Sequence, residues 1–207
     1  MSDSIFNAEE YDSWYDRHRE IYMAEIEAIR VFSDKYANPR LEVGVGTGRF
    51  AEPLGIDYGI DPDESMLRFA RARGIKAIKG VGEKLPFRNG LFNMVLIATT
   101  LPFLTNARKV IEEAYRVLRS DGGLVIAFIP KNSHFGRKYE EMGKKGDVRF
   151  RNTHFYTLDE VISLLSGLFK VDGIRSTLIG EDIKLDIVNG YNEESSFVVL
   201  HCKKIRE

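Results

Sequence analysis

The stretch Leu41-Glu42-Val43-Gly44-Val45-Gly46-Thr47-Gly48 constrains this 207-residue chain more than any other. An apolar run there meets three alternating glycines, with an acidic residue two positions before the first. Glycine lets backbone approach a ligand that any Cβ would push away, and in open α/β sheets ligands sit beyond the carboxyl ends of the strands. The pattern predicts a strand running into a ligand-binding loop. Glu42 narrows the ligand, because a carboxylate in that place repels phosphate but accepts hydrogen bonds from a cation or an ammonium group.

The loop alone leaves two nucleotide readings open. Gly46-Thr47-Gly48-Arg49-Phe50-Ala51 also fits the dinucleotide pattern, in which a pyrophosphate meets a helix N-terminus. Tyr58-Gly59-Ile60-Asp61 is the next expected strand, and its terminal carboxylate can accept from both hydroxyls of a ribose while repelling a 2′-phosphate, against an NADP enzyme. The plainer alternatives are a helix cap for Asp61 and a loop cap for Glu42. Two features weigh against a dinucleotide. Glu42 faces a pyrophosphate unfavourably, and Gly80-Val81-Gly82-Glu83-Lys84-Leu85-Pro86-Phe87 follows the third strand where a dinucleotide fold has no such requirement.

The remaining chain supplies alternating helices and strands. Asn7 to Tyr36 carries aromatic and aliphatic residues at helical spacing, with Tyr11, Tyr15, Tyr22, Ile26 and Ile29 on one stripe, ended by Asn38-Pro39. Asp63 is the expected N-cap of a helix carrying Met66 and Leu67. Lys76 to Lys79 is a third strand, and Phe92 to Ala98 reads as a central strand buried on both faces. An amphipathic helix over Ala107 to Leu118 precedes a fifth strand over Leu124 to Ile129. Thr157-Leu158-Asp159-Glu160 is a capping box, Phe169 to Thr177 a strand, Gly180 to Ser195 a polar connection, and Phe197 to Lys203 a closing strand.

Between them lies 130–157, rich in Lys and Arg, with Phe135, Tyr139, Phe150, Phe155 and Tyr156 scattered through it. It is expected to be either a solvated loop or a substrate cap favouring an anionic or aromatic small molecule. His134 and His154 are the histidines placed to act as bases on that side.

A formal net charge of −1 gives no global drive toward nucleic acid or an anionic membrane, and none is expected as partner. The N-terminal thirty residues have neither the basic start nor the apolar core of a signal peptide, and no membrane span is expected. The single Cys202 excludes an intramolecular disulfide and a cysteine metal cluster, no metal site is expected, and a cytoplasmic location follows as the expectation.

Taken together, Glu42 to Gly48, Gly59-Ile60-Asp61-Pro62 with Met66-Leu67, Glu83 to Phe87, and Arg116-Val117-Leu118-Arg119-Ser120-Asp121-Gly122-Gly123 resemble the class I S-adenosylmethionine-dependent methyltransferases. Within these the chain is similar to the small-molecule branch called methyltransferase type 11, which includes quinone-pathway C-methyltransferases. The motifs stand in the right order over roughly Tyr11 to Phe169.

The resemblance implies a single α/β domain over 1–207, Rossmann-like and doubly wound. Its seven-stranded, mainly parallel sheet would have an antiparallel C-terminal strand, an N-terminal helical lid over 1–38 and the cap over 130–157. It implies methyl transfer from S-adenosylmethionine, with S-adenosylhomocysteine as product. Glu42 would accept from the methionyl ammonium, Thr47 and the loop of Gly44, Gly46 and Gly48 would meet the carboxylate, and Asp61 the ribose. Pro62, Met66, Gly82, Glu83, Lys84 and Leu85 complete the adenosine side, with Met66 alternatively core. Thr99 and Thr100 would line the pocket. Tyr11 and Trp14 would lie across the cofactor or simply pack on the sheet.

The chain departs from this family in two places. Val81-Gly82 stands where many relatives have Asp-Ala, so adenine recognition falls to backbone around Gly82 and Glu83 or is weaker. Thr99-Thr100-Leu101-Pro102-Phe103-Leu104 replaces a polar loop that often carries histidine, and Asn93 stands where Asp is common. No catalytic residue is assigned on this basis. The competing readings are a non-catalytic cofactor-binding protein, an RNA or protein methyltransferase, and a nicotinamide oxidoreductase.

Overall fold

The structure is a computed structural model describing residues 6–205. Its centre is one sheet in the order β3-β2-β1-β4-β5-β8-β6-β7. The parallel half consists of β1 (Arg40–Val43), β2 (Tyr58–Asp61), β3 (Lys76–Lys79), β4 (Phe92–Ala98) and β5 (Leu118–Phe128). Beyond it, β8 (Ser195–Lys204) runs antiparallel to both β5 and β6 (Phe169–Ile179), confirming the antiparallel closing strand.

The sheet has eight strands among the described residues, not seven. Val188–Asn189 forms β7 against Arg175 and Ser176 at the edge. Two residues carry no alternation to read in sequence. Their pairing is set instead by Ser176, whose hydroxyl donates to the Gly190 carbonyl at 2.7 Å and accepts from the Asn192 amide at 3.2 Å.

Both faces of the sheet are covered, and the strands alternate between two cores. On one face Met94, Leu96, Val125, Ala127, Phe197 and Val199 meet Ile26, Ala28, Ile29 and Phe32 of α2 (Arg19–Ser33), with Leu67 and Ala70 of α3 (Glu64–Ala72). On the other, Leu41, Val43, Val95, Ile97, Ile126 and Leu200 meet α4 (Ala107–Val117) and α6 (Leu158–Leu165). Both predicted caps are formed: Asp63 accepts from the Ser65 amide, and the Thr157–Glu160 box has both of its bonds.

Three stretches differ from the sequence expectation, the first being β5, which begins at Leu118 rather than Leu124. The single helix expected over Asn7 to Tyr36 is broken into α1 (Ala8–Arg17) and α2. His18 leaves helical geometry at φ −119°, ψ 43°, and both its amide and its ring Nδ1 lie within hydrogen-bond distance of the Trp14 carbonyl. In the 130–157 segment, α5 (His134–Lys144) stands where no helix was expected. Ser133 caps it, accepting from the Gly136 amide at 3.0 Å. The helix carries Tyr139 onto Phe150, with ring centroids 4.7 Å apart.

Candidate functional site

In the strand order 3-2-1-4-5 the chain leaves β1 toward β2 on one side and meets β4 on the other, opening a crevice at their carboxyl ends. Three segments converge there: the glycine loop after β1, Asp61 at the end of β2, and Thr99-Thr100 after β4. Gly44 has φ +75°, and a Cβ on it would lie 2.3 Å from the Thr100 side chain, so that turn admits only glycine. Thr100 donates to the Ala98 carbonyl at 2.9 Å and closes the wall. Thr99 sits at φ +51°, a left-handed conformation that costs a β-branched residue energy and clusters at functional sites. Asp61 ties β2 to the loop, accepting from the Gly46 amide at 3.0 Å and the Asp63 amide at 2.9 Å.

Electrostatically the crevice is short of donors. Glu42 is 1% exposed and its Oε2 has no hydrogen-bond partner. Burial, reinforced by the neighbouring Asp61 charge and only partly offset by the Ala51 amide, holds its carboxyl well above the usual carboxylate range. Burial likewise raises Asp61. The buried Thr47 hydroxyl is also unpartnered. One of these orphans thus lies at the end of β1 and the other in the loop that β1 runs into. Orphaned buried polar atoms are costly, and here a carboxylate acceptor on Glu42 and a hydroxyl on Thr47 that can donate stand side by side for a ligand carrying both kinds of group.

A sequence profile described as a methyltransferase domain matches residues 41–126, spanning this crevice. An uncharacterized protein of Methanocaldococcus jannaschii is 42% identical, covering 96% of this chain and 97% of its own length. A solved S-adenosylmethionine-dependent methyltransferase of Thermotoga maritima, described as a possible histamine N-methyltransferase, is 33% identical over 94% of each chain, with a TM-score of 0.85. This chain belongs to the S-adenosylmethionine-dependent methyltransferases. A ubiquinone/menaquinone C-methyltransferase of Burkholderia mallei is 27% identical over 90% of this chain and 86% of its own.

In this methyltransferase α1 lies directly over the glycine loop. The Tyr11 ring is 3.7 Å from where a Gly46 Cβ would be, and its hydroxyl is 2.8 Å from that of Tyr15. Two arginines clamp the helix down. Arg49, in the loop, forks onto Asp12 at 2.9 and 2.6 Å and onto Asp16 at 2.9 and 2.7 Å. Arg73 reaches Asp12 at 3.0 Å while donating to the Thr47 carbonyl at 2.9 Å. Burial pushes the Asp12 carboxyl up, but Arg49 and Arg73 outweigh it and hold it below the ordinary value. The Tyr22 hydroxyl also donates to the Arg49 carbonyl.

Asp12→Asn should therefore loosen α1 without unfolding the sheet. Hydrogen exchange in α1 is expected to speed up about tenfold, equivalent to about 1.4 kcal/mol, with β4 and β5 amides unchanged.

The other expected site residues separate by location. Met66 and Gly82 are buried, and Pro62 is exposed. A Cβ on Gly82 would lie 2.8 Å from Val43. Glu83 accepts from the Asn106 amide at the start of α4. Lys84 is exposed, and the Leu85 side chain packs in the α4-side core. Trp14 stacks on His18, centroids 4.5 Å apart. His134 and His154 contact Phe135 and Tyr156.

Sequence reasoning missed two features. Asp12, Arg49 and Arg73 are far apart in the chain and carry no local signal. Glu25 did carry one: a carboxylate three residues after Tyr22 and four before Ile29, on the apolar stripe of α2, where it is buried.

Proposed function

We propose that this methyltransferase binds S-adenosylmethionine across the carboxyl ends of β1, β2 and β4 and transfers its methyl group to a small-molecule acceptor. The observation that carries the reading is the buried, unpartnered Oε2 of Glu42 beside the glycine loop, an acceptor suited to the methionyl ammonium. Thr47 and the Gly46 amide, released as Asp61 turns to the ribose, would take the carboxylate, while the Gly44 and Gly48 amides stay on the Ile60 and Val45 carbonyls and only shape the loop. Asp61 would exchange its loop contacts for the ribose hydroxyls. Pro62, Met66 and the backbone from Gly82 to Leu85 would flank adenine, and Thr99, Thr100 and Tyr11 would enclose the methyl-donor end.

The bound sulfonium supplies an activated methyl group. The chain's own contribution is to align the acceptor with it and exclude water. Within the single domain, of the expected 1–38 lid only α1 lies over the loop, since α2 packs into the core of the sheet, and the segment carrying α5 acts as a cap over the acceptor. No helix among the described residues is long and apolar enough to cross a membrane. The buried, unpaired Cys202 suits a reducing compartment, and the cytoplasm is the proposed location. The relatives' names carry different acceptor atoms, carbon in one and an amine nitrogen in another, and do not converge on one acceptor.

Calorimetric titration of S-adenosylhomocysteine, with NADH as comparator, tests the reading. Micromolar binding of the former is expected, weakened about tenfold in Asp61→Asn as one charge-assisted hydrogen bond is reduced to a neutral one. A preference for NADH would overturn the assignment.

A further inference from the structure

The chain's net charge of −1 hides a local surplus of cations in the cap. Residues 130–157 carry seven Lys and Arg against Glu140, Glu141 and Asp147, and each of these acids is already paired within the segment. Glu140 lies 3.7 Å from Lys131, Glu141 2.6 Å from Lys145 and Asp147 2.6 Å from Arg149. Arg137, Lys138, Lys144 and Arg151 are left exposed and in no ion pair among the described residues. Arg137 donates to the Asn132 carbonyl, which leaves its charge uncompensated. The exposed positions of α5 and its C-cap are Arg137, Lys138, Glu141, Lys144 and Lys145. At about 3.6 residues per turn these fall within roughly a third of the helix circumference, so they form one face.

The patch continues past the helix. Val148 is 66% exposed, the most exposed large apolar side chain among the described residues, with Lys144, Lys145, Arg149 and Arg151 flanking it in the chain. The rings of the cap are spent on one another instead: Tyr139 stacks with Phe150 at 4.7 Å, Phe135 at 6.0 Å and Phe155 at 6.1 Å between centroids. The cap stands at the carboxyl edge of the sheet, beside the crevice. The Phe135 amide donates to the Ser196 hydroxyl oxygen near the start of β8 at 3.3 Å, and the His154 amide donates at 3.1 Å to the Pro102 carbonyl in the loop after β4.

We propose that the outer face of the cap docks on an anionic lipid bilayer, with Arg137, Lys138, Lys144 and Arg151 among the phosphate headgroups and Val148 entering the interface. A cluster of Lys and Arg on one helix face is drawn to a negatively charged membrane surface, and an apolar side chain at the same level adds burial to that attraction. The make-up of the patch separates a bilayer from other polyanions. A protein interface has an apolar or aromatic centre from which charge is depleted, whereas here cations surround one valine. Single-stranded nucleic acid is held by stacking of bases on rings, and the rings at hand already stack on one another. A lipid surface requires neither. Docking in this way brings the carboxyl edge of the sheet, with its crevice, to the bilayer, and it holds whatever acceptor is methylated.

The test is co-sedimentation of the full chain with vesicles of phosphatidylcholine alone and of phosphatidylcholine with about 30% phosphatidylglycerol, which supplies the negative surface. Binding to the anionic vesicles is expected to be at least roughly tenfold tighter than to the neutral ones, and to weaken at least roughly tenfold as salt rises from about 0.05 M to about 0.5 M. Combining Arg137→Gln, Lys138→Gln, Lys144→Gln and Arg151→Gln should weaken it at least roughly tenfold, and Val148→Ser should weaken it severalfold at unchanged charge. These are surface substitutions, so both variants should melt within about 2 °C of wild type. The inference is overturned if the two kinds of vesicle bind equally or not at all, or if either variant binds the anionic vesicles as wild type does. Tighter binding to an oligouridylate or to poly-L-glutamate than to anionic vesicles would also overturn it, in favour of a nucleic acid or an acidic protein.

Discussion

Replacing Glu42 with Gln is expected to raise the melting temperature of the free protein while weakening S-adenosylhomocysteine binding between about tenfold and a hundredfold. Both effects come from one atom. Oε2 of Glu42 is buried with no partner, and its carboxyl sits well above the ordinary carboxylate range because burial, and then Asp61, disfavours its charge. At neutral pH the free protein must therefore hold a proton there or bury an uncompensated charge, and a neutral amide of the same shape relieves this. Relief of about 1 kcal/mol would raise the melting temperature by roughly 2–4 °C for a chain of this size. The bound ammonium, conversely, loses a charged acceptor, worth about 1.5–3 kcal/mol. Thermal melts and calorimetry on one preparation separate the two signs. A variant that melts lower and binds normally would show that Glu42 is only a loop cap.

What sequence reading captured is what is encoded locally. The glycine loop, the Asp63 cap, the Thr157–Glu160 box and the strands β1 to β4 each declare themselves within a few residues, and each is present. What it missed depends on partners brought in from elsewhere. The latch joins Asp12 to arginines 37 and 61 positions away, so no window of sequence contains it. The break at His18 turns on a ring reaching back to one carbonyl, inside a pattern otherwise continuous for a single helix. Helix α5 needs Gly136 and Gly143, where a Cβ would lie 2.1 Å from the Pro130 carbonyl and 2.4 Å from that of Phe150, so the cap's compactness lies in tertiary contact rather than periodicity. Glu25 is the instructive case. Its place on an apolar stripe was visible, but a stripe does not say whether the interruption is solvated or buried.

That burial makes stability depend on pH in a direction opposite to the usual carboxylate. The Glu25 carboxyl titrates at about 8 in the folded protein against 4.5 ordinarily, so the folded state holds the proton more tightly than the unfolded chain. Its contribution is fully present below about pH 4.5 and is lost progressively as pH rises to 8. Each pH unit in that window is worth about 1.4 kcal/mol, and the whole amounts to on the order of 5 kcal/mol, a large share of a typical domain's stability. His201, held below its ordinary 6.5 chiefly by burial, pulls the other way as pH falls, so the wild-type curve alone mixes signs. The difference between wild type and Glu25→Gln isolates the carboxyl. Urea midpoints should be close at pH 5 and diverge toward pH 9, with the Gln protein the more stable at the alkaline end. Midpoints that run parallel across the range would mean that Glu25 meets solvent or a partner in solution and carries no stored cost.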